Sequence, residues 1–149
     1  MSQHTAGPTS RARARAIVTV TALLALSSTA CTEEDRAKVG DAVSSATAAA
    51  ASRMAEITDG VNADADVKAG PVRTEGDRTV ADVTATNPGD GNADYTVMVN
   101  FRDDGGGLLD SVVVNIDGVA PGASKKATAR SNRSLSGATK AEIGQALRH

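Results

Sequence analysis

Cys31 is the only cysteine in the 149 residues, and it directly follows Ala30. A lone thiol forms no disulfide within its own chain and holds no zinc alone. The two histidines stand at positions 4 and 149. With none inside the chain, Ser-His-Asp and Cys-His catalysis and a His-rich zinc site are excluded. The remaining candidates are oxygen donors. Asp90-x-Asn92-x-Asp94 has the spacing that opens an EF-hand loop, but the sixth and twelfth positions of that loop must be Gly and Glu, and here they are Tyr95 and Phe101. Asn62-x-Asp64-x-Asp66 fails in the same way, at Val67 and Arg73. A looser calcium site made of loop oxygens stays open, with Asp90, Asn92, Asp94, Asp103 and Asp104 as its candidates. Asp103 and Asp104 are neighbours on one turn, whereas glycosidase chemistry needs two carboxylates held apart across a cleft. Gly105-Gly106-Gly107 lacks the Lys-Ser/Thr of a phosphate loop. With no Trp, one Tyr and one Phe, stacking platforms for sugars, bases or flavins are missing. The chain therefore reads as a non-enzyme with no catalytic residue and no cofactor.

The surroundings of Cys31 give its chemistry a context. Residues 1–15 carry Arg11, Arg13 and Arg15 and no acid. Residues 16–26 are an apolar run, followed by Ser27-Ser28-Thr29-Ala30. A basic start, a short apolar stretch and a small-residue site are the three parts of a secretory signal. The run is too short to span a bilayer, which takes about 20 residues. A single cysteine at the cleavage point resembles the lipobox of bacterial lipoproteins. That resemblance implies lipidation of Cys31, which becomes the mature N-terminus. The third residue before Cys31 is Ser28, where the pattern has Leu, and Ser28-Thr29-Ala30 also suits a plain signal peptidase. Lipid attachment and free secretion thus both stand. Several acyl chains anchor a protein firmly, one only marginally.

Residues 1–30 hold three of the 16 basic residues and none of the 18 acidic ones, so the remainder carries a net charge of −5. This argues against nucleic acid as a partner, because such binding needs clustered Lys and Arg. Lys125, Lys126, Arg130 and Arg133 form the one basic cluster, which reads as an exposed strand edge kept soluble by charge. Asn132-x-Ser134 matches a glycosylation acceptor, a tripeptide common by chance.

Two kinds of element must position these residues. Between 32 and 61, Val39, Val43, Met54, Ile57 and Val61 recur at helical steps, with Ala46 and Ala50 filling the gap. The acids at 33–35 suit a helix start and Asp59-Gly60 a stop, so the spacing predicts a helix over about 35–59. Its thin stripe leaves it open as a stalk, as a helix packed on its own domain or a partner, or as a tether. From 65 onward, β-branched residues and alternation take over. Strands are predicted near 67–73, 79–86, 95–101, 108–116, 124–131 and 139–148. The inward sets are Ala81, Val83 and Ala85; Tyr95, Val97, Val99 and Phe101; Val112, Val114 and Ile116; Ala127 and Ala129; and Ala141, Ile143 and Leu147. Gly105-Gly106-Gly107 and Pro121-Gly122 supply turns. No helix-length segment separates the strands, which argues against a parallel α/β fold.

The succession Asn87-Pro88, Tyr95-x-Val97-x-Val99-x-Phe101-x-Asp103, a Gly turn, Leu108, then Val119-x-Pro121-Gly122 resembles the FxLYD-type immunoglobulin-like domain of exported bacterial proteins and lipoproteins. The resemblance covers 79–149, and the F-x-L-Y-D string itself is absent. It implies a fold and an extracytoplasmic adaptor, with no activity attached. The expectation is a signal peptide (1–30), an Ala-rich helical stalk or tether (31–61) and a sandwich domain (62–149). The fold class is mainly β: an antiparallel immunoglobulin-like β-sandwich of six to seven strands, preceded by one α-helix and a signal segment. The expected function is that of a membrane-anchored lipoprotein on the outer face of the cytoplasmic membrane, binding a protein or cell-envelope partner. The alternative is a freely secreted sandwich with the helix packed on it.

Overall fold

A computed structural model describes residues 33–149. The expected signal segment (1–30) and Cys31 lie outside the described residues. The described chain runs α1 (Glu33–Ala55), β1 (Val61–Asn62), a 3-10 turn (Asp64–Asp66), β2 (Val67–Glu75), β3 (Arg78–Thr86), β4 (Ala93–Asp103), β5 (Leu108–Val119), β6 (Ser124–Arg130) and β7 (Ala138–Arg148). The strands form two antiparallel sheets, ordered β1-β7-β4-β5 and β2-β3-β6. The chain makes the β2–β3 hairpin, crosses to the other sheet for the β4–β5 hairpin, crosses back so that β6 pairs with β3, and returns to lay β7 beside β4. Among the described residues the fold is thus a mainly β, seven-stranded antiparallel sandwich with one helix.

Period-2 alternation explains which side chains fill it. Tyr95, Val97, Val99 and Phe101 of β4 point between the sheets and are fully buried. They meet Ala81, Val83 and Ala85 of β3, Ala129 of β6, and Val112 and Ile116 of β5. Large residues on one sheet facing alanines on the other let the layers interdigitate. Tyr95 keeps its hydroxyl satisfied by donating to the Thr86 carbonyl at 3.2 Å.

Three expectations need correction. Leu147 was expected inward with Ala141 and Ile143. The β4–β7 register slips between Met98 and Val99, where Gly144 forms a bulge, so Ala146 becomes the buried residue opposite Val97 and Leu147 turns to the outer face opposite Thr96. One extra residue reverses the facing of everything after it. Helical spacing includes Val61 in the stripe. It instead begins β1, pairs with Arg148 and is 52 % exposed. The helix ends at Ala55, earlier than Asp59-Gly60, closing with bonds from Glu56 N to Arg53 O and from Ile57 N to Met54 O. The chain must leave the outer sheet face to reach the edge of β7. Gly60 permits the crossing, since a Cβ there would lie 2.7 Å from Ile57 Cγ2 and 3.0 Å from Leu147 Cβ.

Helix α1 lies across the outer face of β4 and β5, with Ala50 and Met54 buried against the sheet. Val43, Ala46 and Ile57 are half-buried on the same stripe, and the Thr47 and Ser111 hydroxyls stand 3.4 Å apart. Glu33–Asp41 is exposed throughout, including Val39 at 46 %. Of the readings left open, packing on its own domain describes the second half of α1.

Candidate functional site

The acidic candidates do not converge. Asp90, Asn92 and Asp94 precede or begin β4, while Asp103 and Asp104 lie at its other end. Along β4 the nine residue steps from Asp94 to Asp103, at about 3.3 Å each, separate the two groups by roughly 30 Å. Asp94 Oδ1 accepts from Gly118 N of β5 at 2.6 Å, at the irregularity of the β4–β5 pairing, and Asp103 Oδ1 from Gly107 N in the hairpin turn at 2.7 Å, so both are taken by backbone. Gly106 takes the left-handed φ of +83° that this tight return needs. Asp64 is used the same way: Oδ1 accepts from Ala146 N on the β7 edge, and Asp66 pairs with Arg148 at 3.2 Å. Among the described residues no cluster of three His, Cys, Asp or Glu is placed to hold a metal.

The basic cluster divides. Strand β6 is an edge of its sheet, and Lys125, Lys126 and Arg130 are exposed on it. Arg133 turns inward instead, donating from Nη2 to Leu109 O at 2.6 Å. The side-chain nitrogen of Asn132, nominally a glycosylation acceptor, donates to Asp110 Oδ1 and to Ser111 O, both at 3.1 Å.

Asp110 was not singled out in the sequence. It is completely buried, and its carboxylate accepts from Asn132 N at 2.7 Å and Ser111 N at 3.0 Å as well as from the Asn132 amide. Its signal was there: an acid in the inward-facing parity of Val112, Val114 and Ile116 must have buried donors waiting for it. The latch ties the β6–β7 loop to β5.

Beside this latch runs the groove that the fold offers as a binding surface. One chamber, of about 180 Å³, lies between Ala46, Ala49, Ala50 and Arg53 of α1, residues Ser111–Val113 of β5, and Arg130 and Asn132. A second, of about 300 Å³, continues past Arg53 and Val113 to Glu56, Ile57, Thr96 and Asn115. Only a groove wrapped around the β5 edge touches both α1 on the outer face and β6 in the opposite sheet. The edge is partly sealed. Backbone groups pointing away from β4 alternate along β5, and the carbonyls of Leu109, Ser111 and Asp117 are taken by Arg133, Asn132 and Lys125. Val113 and Asn115 share that outward parity, and among the described residues no strand or side chain takes their N–H and C=O groups.

No helix among the described residues is long and apolar enough to cross a membrane. Compared with protein-family models, with curated proteins and with solved structures, the chain finds no match.

Proposed function

We propose that this is an exported protein, held at the outer face of the cytoplasmic membrane by lipid on Cys31. Its sandwich serves there as a non-catalytic binding or adaptor module, as the FxLYD resemblance implies. The observation that carries the reading is the placement of the only cysteine. It follows an apolar run and a small-residue site, and it stands two residues before α1 begins. The exposed first turns of α1 then form a short spacer between lipid and sandwich. The groove beside β5 supplies the surface for a partner.

The freely secreted alternative is favoured by Ser28 at the lipobox Leu position and by the docking of α1 on its own sheet. Metabolic labelling with an alkyne fatty acid separates the two. Wild type is expected to take the label and sediment with membranes, and Cys31→Ala to do neither. Unlabelled wild type in the medium selects free secretion.

A further inference from the structure

We infer that the β5 edge binds an extended peptide as an added strand, with an acidic side chain of the peptide between Arg53 and Arg130. The inference rests on the binding-module reading and is independent of lipid on Cys31.

Folded proteins blunt the free edges of their sheets, because unpaired backbone recruits other strands. Here the blunting is interrupted. Arg133 and Asn132 cap β5 at Leu109 and Ser111, and Lys125 caps it at Asp117. Between Ser111 and Asp117, Val113 and Asn115 present two N–H and two C=O groups on the free side. These residues are about 6.6 Å apart along the strand, the repeat at which an incoming strand offers its own groups. The walls suit the same occupant. An added strand lies about 4.8 Å from its neighbour, and the α1 wall of Ala46, Ala49 and Ala50 projects only methyl groups into that space.

Charge selects among strands. The charged residues lining the first chamber are Arg53 and Arg130, and the second chamber adds Glu56 at its far end, away from Arg130. Arg53 makes no ion pair among the described residues, and Arg130 reaches Glu75 only at 3.6 Å. A second copy added edge to edge would bring the same two arginines to its own side of the groove and set like charge against like. The occupant is therefore a different chain with an acid at this point, a form of strand addition in which main-chain bonds give affinity and side chains give selectivity.

The test titrates the ¹⁵N-labelled full chain, in detergent micelles, with a capped heptapeptide Thr-Val-Glu-Val-Glu-Val-Thr. A Lys-for-Glu version and an N-methylated version serve as comparisons. The Glu peptide is expected to shift the Val113 and Asn115 amides and protect them from exchange, and the N-methylated one to leave them unchanged. The Lys peptide should bind at least about tenfold more weakly, and Arg53→Glu with Arg130→Glu should invert that order. Val113→Pro removes an N–H that serves no ladder bond, so it should abolish binding while β4 and β7 amides stay protected. The inference is overturned by unchanged Val113 and Asn115 amides up to about 1 mM peptide. Equal affinity for the Glu and Lys peptides also overturns it. So does concentration-dependent protection without peptide, which assigns the edge to a second copy. Peptide binding by a chain whose Cys31 takes no fatty acid overturns only the anchor, and a lipidated chain that ignores the peptide overturns only this inference.

Discussion

Asp110 and Asp82 show two uses of one side chain. The Asp110 carboxylate is buried and accepts from three nitrogens of Ser111 and Asn132. Asp110→Ala strands the Asn132 donors, a cost of about 1–3 kcal/mol. The expected readout is a lower urea midpoint with unchanged slope. Asp82 lies on the outer face of β3, where Arg73 Nη2 donates to it at 3.0 Å and Thr128 Oγ1 at 3.1 Å. The hydrogen bond from Arg73, then that from Thr128, hold the Asp82 carboxyl below the ordinary aspartate value, and Arg73 is in turn held more firmly protonated. The folded value lies below the unfolded one. Its stabilisation is therefore complete above about pH 4 and lost as pH falls through the folded value. A carboxyl ¹³C titration is expected to place Asp82 below the unpaired aspartates, and Arg73→Ala to move it back up. The pairing is predictable only from the register, since Arg73 sits opposite Val80 and hence diagonal to Asp82.

At the scale of elements, the helix and the sheet are held with different strength. Residues Ala50 and Met54 of α1 are buried, yet neither belongs to the central cluster between the sheets. Met54→Ala removes most of the apolar contact of α1 and costs about 2–5 kcal/mol at a buried site. That loss falls on the docking of α1. Hydrogen exchange is expected to show α1 amides opening in the variant while β4 and β7 keep their protection. The helical stripe was legible from Val43 to Ile57 because it follows local spacing. What it packs on was not, because Ser111 and Val113 approach α1 only after β5 has paired with β4. The bulge at Gly144 was equally hidden. Simple alternation runs through Ile143 to Leu147, and only the slipped pairing with Met98 and Val99 shows the reversal.

For the whole molecule, stability depends on one strand. Strand β4 pairs with both β5 and β7 and carries the only Tyr and Phe of the chain. Phe101→Ala is expected to cost about 3–5 kcal/mol, a large part of the 5–15 kcal/mol typical of a domain. A thermal melt should show a single cooperative transition at a much lower temperature, since both sheets lose the same support. The edges lie far from this core. Charge protects β6, side-chain caps protect much of β5, and Asp64 caps Ala146 on β7. The gap at Val113 and Asn115 stands out against that protection.

Local sequence is enough to set the strands after residue 65, the inward residues of β3, β4 and β5, and the turns at Gly105–Gly107 and Pro121-Gly122. Each of these is set by side-chain period or by backbone freedom within a few residues. It also placed Cys31 behind a signal-like segment, a matter of linear order alone. Long-range folding brings Asp110 to Asn132, lays α1 on β4 and β5, and turns Val113 and Asn115 toward a groove rather than a neighbouring strand. Those depend on which distant segments become neighbours, and pairing across 20 or more residues leaves no periodic trace in the chain.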